Sequence, residues 1–167
     1  MHLDLSDLVE GLGKKVLLVQ ADAAAEGILI AKTSGRRGFA RQAVLYTAFQ
    51  RSPQEAREKH GVVAKPAPMG LTRHHGYFAG KAAAVDLGII NAKDADDKRR
   101  KQARLVAIAR GHGLICGADW GDPVHFELAI DGKRMDVAAE YIRLGEKLDR
   151  IAGNIITVTP PLPGGGA

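Results

Sequence analysis

Four apolar runs of strand length, together with stretches of helical periodicity, constrain the fold of this chain more than any other feature. The predicted strands cover residues 28–33, 82–90, 113–118 and 124–130. The predicted helices cover residues 6–26, 39–49, 95–111 and 135–151, with a short helix over 53–60 inside a loop-rich stretch from 50 to 71. Because the helices are grouped instead of alternating strictly with the strands, the sequence predicts an α+β fold.

Length and cysteine content limit the organisation of the chain. The 167 residues predict a single domain over residues 1–155, followed by a disordered Pro/Gly-rich tail over residues 156–167. The single cysteine, Cys116, excludes both an internal disulfide and a cysteine-rich zinc knuckle. Its apolar neighbours predict a buried and unreactive thiol, because such surroundings raise the pKa of a thiol.

The charge of the chain is positive. A net charge of +5 favours anionic surroundings such as nucleic acid or an acidic envelope polymer. The densest basic run covers residues 98–101, and no aromatic residue interleaves with it. Since stacking aromatics normally accompany such a run in a nucleic-acid site, we expect a solvated helix face and no nucleic-acid partner. An anionic envelope surface remains a candidate partner.

The start of the chain and its hydropathy predict synthesis in a cytoplasm. The first seven residues are acidic and amphipathic, without the basic start and apolar stretch of a secretory signal. No apolar run approaches the ~18 residues needed to cross a bilayer. We therefore expect no stable insertion into a membrane.

Residues with metal-binding side chains lie in the middle of the sequence. His74, His75, Asp86 and His125 provide imidazoles and a carboxylate, and Asp122 provides a second carboxylate. Two imidazoles and one carboxylate fill three tetrahedral positions around zinc and leave a fourth for water, as in catalytic sites. Asp86 and His125 belong to different predicted strands, so they can meet only if those strands are neighbours.

Three motifs occur in a fixed order along the chain. They are Gly35-Arg36-Arg37 with Gln42, Leu45 and Tyr46; Thr72-Arg73-His74 with Ala84-Val85-Asp86; and Trp120 with Asp122-Pro123-Val124-His125-Phe126-Glu127. Together they resemble the zinc D-alanyl-D-alanine carboxypeptidase family, which includes vancomycin-resistance dipeptidases and phage endolysins that cut peptidoglycan stem peptides. The resemblance spans roughly residues 5–130.

The chain departs from the family between two of these motifs. Eleven residues separate His74 from Asp86, more than the family has, so residues 76–81 look partly inserted. Two glycines in this segment permit an excursion whose ends still converge. Because of the insertion, either His74 or His75 could be the metal ligand. His74 is favoured because it lies two residues after Thr72.

The resemblance implies a fold and a ligand set. The fold is a small antiparallel sheet that carries a zinc site, with helices packed around it, as in hedgehog-like and D-Ala-D-Ala peptidase-like proteins. The implied zinc ligands are His74, Asp86 and His125. Asp122, three residues before His125, suits a general base that takes a proton from water. The alternative is that Asp122 stabilises the turn before Pro123.

Further residues receive roles beside the ligands. Arg37 would bind the substrate carbonyl or carboxylate and stabilise a developing oxyanion, whereas Arg36 would face solvent. Gln42 and Tyr46 would be structural or would support the site. Glu127 either orients a ligand histidine or is an exposed strand residue.

The resemblance implies a monomeric zinc metallopeptidase that hydrolyses an amide bond in peptidoglycan stem peptides. The short chain and its basic charge favour a phage or prophage endolysin that cuts the L-alanyl-D-glutamate bond. Such a protein would reach the cell wall after release through a holin or a similar pore. Two alternatives remain open: a D-Ala-D-Ala carboxypeptidase, and a non-catalytic zinc-containing binding module on the same fold.

Overall fold

The computed structural model describes residues 3–62, 65–67, 72–74, 76, 80–136, 143 and 147. In chain order the elements are α1 (Glu10–Ala25), β1 (Ile30–Ser34), α2 (Phe39–Arg51), α3 (Pro53–His60), β2 (Ala84–Ile89), α4 (Ala95–Gly111), β3 (Leu114–Cys116), a 3-10 turn (Gly117–Trp120), β4 (His125–Ile130) and β5 (Lys133–Arg134). The α+β prediction is therefore confirmed. The helix predicted over 135–151 lies almost wholly outside the described residues, and the tail over 156–167 lies entirely outside them.

The strands form one small antiparallel sheet in the order β1-β2-β4-β3, and β5 pairs with the end of β4. Successive side chains of a strand point to opposite faces. One face joins helices α1 and α4 in the main core. Its largest fully buried side chains are Leu8, Leu12, Val16, Val19, Val85, Leu87, Leu105 and Phe126. The polar residues of β2 and β4 therefore fall on the opposite face.

A reciprocal pair of hydrogen bonds starts helix α4. The Asp94 carboxylate accepts the backbone N–H of Asp97 at 2.7 Å, and the Asp97 carboxylate accepts the backbone N–H of Lys93 at 3.0 Å. This arrangement resembles a capping box, because each carboxylate satisfies an N–H group that the helix leaves unpaired. It fixes where the helix begins.

The basic run of residues 98–101 lies on α4 beside acidic partners. Arg99 pairs with Asp96, and both Arg100 and Lys101 pair with Asp97, the latter at 3.1 Å. Three of the four cations therefore have a carboxylate partner on the same helix. Residues 98–100 are exposed, as the interpretation of a solvated helix face requires, whereas Lys101 is partly buried.

Cys116 is buried, as predicted, and burial raises the pKa of its thiol to about 11. Among the described helices, none combines the length and the apolar character that crossing a bilayer would require.

The chain divides into two compact units. The first consists of Met1–Gly38 and Arg73–Asp136, and the second of Phe39–Thr72 and Val137–Ala167. The first contains the sheet, α1 and α4. In the second, α2 and α3 pack around a small cluster of Leu45, Ala56 and Val62. The single domain over residues 1–155 stays a prediction.

Candidate metal centre

Two of the candidate ligands face each other across neighbouring strands. β2 pairs with β4 in a register that sets Asp86 directly opposite His125. Directly opposed residues project from the same face of a sheet with their Cβ atoms roughly 5 Å apart. The condition inferred from the sequence, that these two strands must be neighbours, is therefore met.

The third candidate, His74, comes from the segment that precedes β2. The carbonyl of Arg73 accepts the backbone N–H of Ala83 at 3.0 Å, which brings the two ends of the inserted segment together. Within the segment, the Gly80 N–H donates to the Gly76 carbonyl at 3.0 Å, and Gly80 has a φ of 77° that favours glycine. The convergence of the two ends expected from the sequence is confirmed, and residues 77–79 lie outside the described residues.

The three side chains meet through one atom each. His74 Nε2 lies 3.1 Å from His125 Nδ1 and 3.2 Å from Asp86 Oδ1, and His125 Nδ1 lies 3.1 Å from the same oxygen. Ligand atoms around a tetrahedral zinc ion lie roughly 3.3 Å apart, given bond lengths near 2.0 Å. Among the described residues, no further His, Cys, Asp or Glu joins this group, which could hold a metal ion. His75 lies outside the described residues.

Hydrogen bonds on the far side of each imidazole define which ring nitrogen carries a proton. His74 Nδ1 lies 2.8 Å from the Gly35 carbonyl, and His125 Nε2 lies 2.8 Å from Glu127 Oε1. A carbonyl and a carboxylate can only accept, so both of these ring nitrogens must donate. In a neutral ring the other nitrogen then carries a lone pair. These lone pairs belong to the two nitrogens that converge on Asp86.

Three acceptor atoms in mutual contact repel one another unless positive charge lies among them. Burial disfavours charge on His125, but hydrogen bonds to Asp86 and Glu127 outweigh it and raise the pKa of His125 to about 9. Burial also raises the pKa of Asp86, but hydrogen bonds from His125 and His74 outweigh it and hold that pKa well below its ordinary value. The centre is therefore built to hold a positive charge, either a proton or a metal ion.

Glu127 supports His125 from a buried position. Glu127 is only 1% exposed, so the alternative that it is an exposed strand residue is wrong. Burial raises the pKa of Glu127, but hydrogen bonds from His125 and Arg134 outweigh it and lower that pKa to about 2. Arg134 donates to both carboxylate oxygens, at 2.5 and 2.6 Å, and its guanidinium lies 4.9 Å from the centre of the Trp120 ring. The Trp120 ring in turn meets His125 edge-on at 5.9 Å.

Arg134 was not predicted from the sequence, although a signal was present. Asp131 and Gly132 have φ values of 51° and 73° and form the two-residue turn between β4 and β5. An Asp-Gly pair after an apolar strand is a strong hairpin signal. Folding back at this turn sets Arg134 opposite Ala129, within reach of Glu127.

Asp122 lies in a tight turn directly before β4. Its backbone carbonyl accepts the N–H of His125 at 3.1 Å, and its own N–H donates to the Gly117 carbonyl at 2.8 Å. A Cβ atom on Gly117 would come within 2.8 Å of the Cβ of His125, so the turn requires glycine there. Burial and the negative charge of Asp86 raise the pKa of Asp122. In the described part of the chain, the Asp122 carboxylate accepts no hydrogen bond. A side chain that stabilises the turn would accept one from the backbone, so the turn-stabilising alternative has no such support.

Arg37 lies beside a candidate ligand. Its Nη2 atom is 3.1 Å from both Asp86 Oδ2 and the hydroxyl of Ser34. A bulge in β1 shifts the register so that Ser34 pairs with Asp86, which turns Ser34 toward this face. The role of Arg37 toward a substrate stays a prediction, whereas Arg36 is exposed as expected.

Gln42, predicted to be structural or to support the site, belongs to the second unit. It is 1% exposed and donates a hydrogen bond to the carbonyl of Ala67. Tyr46 lies on the same helix and is partly buried. These positions are consistent with the structural interpretation of both residues.

Comparisons with known proteins find similarity among solved structures. No protein-family model matches the chain, and no curated protein matches it. Among solved structures, the chain is similar to a vancomycin-resistance D,D-pentapeptidase, VanY from a VanB-type cassette, in complex with Zn(II). The two share 17% identity with a TM-score of 0.49, over 89% of this chain and 85% of that one. At this identity and score, the likeness assigns neither a family nor an activity to this chain.

Proposed function

We propose that this protein is a zinc-dependent hydrolase of amide bonds in peptidoglycan stem peptides. The observation that supports the proposal most is the convergence of three potential ligand atoms, His74 Nε2, Asp86 Oδ1 and His125 Nδ1, at mutual distances of 3.1–3.2 Å. The order of the sequence motifs, which resemble those of zinc D-alanyl-D-alanine carboxypeptidases, supports the choice of substrate.

The donor set fits zinc. Two imidazole nitrogens and one carboxylate oxygen are common zinc ligands, and a three-residue set is typical of catalytic sites because it leaves a position open. The Gly35 carbonyl and the Glu127 carboxylate fix the ring orientation of the two histidines, an arrangement that metal-binding histidines generally have. When bound, zinc supplies Lewis acidity, which activates water and polarises the scissile carbonyl.

We propose Asp122 as the general base. Burial and the negative charge of Asp86 raise the pKa of Asp122, although the charge of His125 opposes them. The raised pKa makes this carboxylate a better proton acceptor than an exposed aspartate. It would take the proton of the attacking water and later deliver that proton to the leaving amine. Arg37 would bind the carbonyl or carboxylate of the substrate, and its hydrogen bond to Asp86 keeps its guanidinium at the centre.

A nucleic-acid-binding function is disfavoured by the surface of α4. That function would need cations free to contact phosphates. Arg99, Arg100 and Lys101 instead face acidic partners on their own helix. The net charge of +5 fits equally well with attraction to an anionic cell envelope.

Within this class we favour an endopeptidase that cuts the L-alanyl-D-glutamate bond, acting as a monomeric phage or prophage endolysin. Synthesis in a cytoplasm and release through a holin would bring it to the wall. The D-Ala-D-Ala carboxypeptidase and the non-catalytic zinc-binding module are the alternatives.

Digestion of purified peptidoglycan separates these three possibilities. The expected result is release of free amino groups that stops when a chelator removes the metal and resumes when zinc is restored. New N-terminal D-glutamate in the products would support the endopeptidase, whereas free D-alanine would support the carboxypeptidase. Zinc binding without any released amino group would contradict the hydrolase and favour the binding module.

A further inference from the structure

A single bend after β1 contacts two of the three proposed ligands. The Gly35 carbonyl accepts a hydrogen bond from His74 Nδ1 at 2.8 Å, and the Arg37 N–H donates to the His74 carbonyl at 2.7 Å. The Arg37 guanidinium also donates to Asp86 Oδ2 at 3.1 Å. The orientations of the His74 ring and the Asp86 carboxylate therefore depend on the conformation of this bend.

Asp7, far away in the sequence, holds the bend. Its Oδ2 atom accepts the backbone N–H of Arg36 at 2.7 Å, between the two residues that contact the ligands. Its other oxygen accepts Lys32 Nζ at 2.7 Å. A Cβ atom at position 35 would collide with the Asp7 carboxylate, so Gly35 is required by this close approach. The Asp7 carboxylate therefore packs directly against the backbone of the bend.

The backbone of Asp7 is itself fixed next to β2. The Asp7 carbonyl accepts the N–H of Ala82 at 2.9 Å, and the N–H of Val9 donates to the Ala82 carbonyl at 2.9 Å. Leu8, between them, is 1% exposed and belongs to the main core. Asp7 thus connects the bend to the chain that leads directly into the strand carrying Asp86.

We propose that Asp7 is a positioning residue of the metal centre. It holds the Gly35–Arg37 bend so that one carbonyl orients His74 and one guanidinium orients Asp86. This inference rests on the proposed function, because it assumes that the centre binds zinc. Groups that orient metal ligands typically change metal affinity by about 10- to 100-fold when they are removed.

The test compares Asp7→Ala with wild type by titration with Co(II) and by competition for zinc against a chromophoric chelator. We expect Asp7→Ala to bind both ions about 10- to 100-fold more weakly and to have an altered visible Co(II) spectrum, because the ligand geometry changes. Asp7→Asn keeps an oxygen that can accept the Arg36 N–H, so it should recover most of the affinity.

Two control variants separate positioning from general destabilisation. Lys32→Gln removes the ion pair of Asp7 but leaves its bond to the bend, so affinity should stay within about threefold of wild type. Asp94→Ala removes the cap of α4 and weakens the fold away from the bend. It should leave the metal affinity and the Co(II) spectrum unchanged.

Each outcome bears on a different claim. Wild-type affinity and an unchanged spectrum in Asp7→Ala, or an equal loss of affinity in Asp94→Ala, would overturn the role of Asp7 and leave the proposed function intact. Failure of the wild-type protein to bind either ion would instead overturn the proposed function itself.

Discussion

At the scale of single residues, the two imidazoles owe their acceptor roles to one hydrogen bond each. Gly35 accepts from His74 and Glu127 accepts from His125, which turns the remaining ring nitrogens toward Asp86. Removing such a partner would free the ring to choose the other tautomer. The orientation of both imidazole rings is therefore determined by groups that are not themselves candidate ligands.

The role of Asp122 can be tested separately from metal binding. Asp122→Asn keeps the size of the side chain and leaves the ligands in place, but an amide cannot take a proton from water. We expect zinc content to stay at the wild-type level and hydrolysis of peptidoglycan to fall by about 100- to 10,000-fold. Asp119→Asn, at an exposed aspartate nearby that pairs with Arg110, is the matched control and should retain activity. Loss of zinc in Asp122→Asn would mean that Asp122 acts as a ligand or holds one.

The sequence predicted the residues at the centre better than the residues that support them. His74, Asp86 and His125 could be selected because few residue types bind zinc and the short motifs that contain them resemble those of a known family, in the same order. Asp7 could not be selected, because its role depends on a backbone N–H and on a close approach to Gly35. Neither interaction leaves a pattern in residue type.

At the scale of elements, the sequence predicted the four main strands and the described helices, although the short helix over 53–60 lies in a stretch with few periodic apolar positions. It did not predict the bulge in β1, because one extra residue does not change the apolar pattern enough to be recognised. The bulge nevertheless decides that Ser34 pairs with Asp86. The short β5 was missed because two residues are too few for periodicity, although the preceding Asp-Gly pair marked the turn.

The start of α4 predicts a pH dependence of stability. Bonds from the Lys93 N–H and the Lys101 ammonium hold the pKa of Asp97 at about 2, below the value of about 3.9 expected in an unfolded chain. A lowered folded-state pKa stabilises the fold above the unfolded pKa, and this contribution disappears as the pH falls from about 4 to about 2. Urea unfolding of Asp97→Asn should therefore differ most from wild type near neutral pH. A difference between the two that stays constant down to pH 2 would contradict this assignment.

At the scale of the whole molecule, zinc binding and folding should be coupled. Two of the ligands lie on separate strands and the third lies before β2, so the unfolded chain has no preformed site. Free zinc at a thousand times its dissociation constant should raise the free energy of unfolding by about 4 kcal/mol. Urea unfolding of the metal-free and zinc-loaded protein measures this difference. The same zinc concentration should leave Asp86→Ala unchanged, and equal stabilisation of that variant would mean that zinc binds elsewhere.

The zinc content of three purified proteins tests the central claim most directly. If His74, Asp86 and His125 hold one ion, elemental analysis will find about one zinc per chain in wild type and in His75→Ala, and almost none in His74→Ala. The two histidines are neighbours in sequence, so each variant controls for the other. No zinc in the wild-type protein, or equal zinc in the two variants, would contradict the metal centre described above.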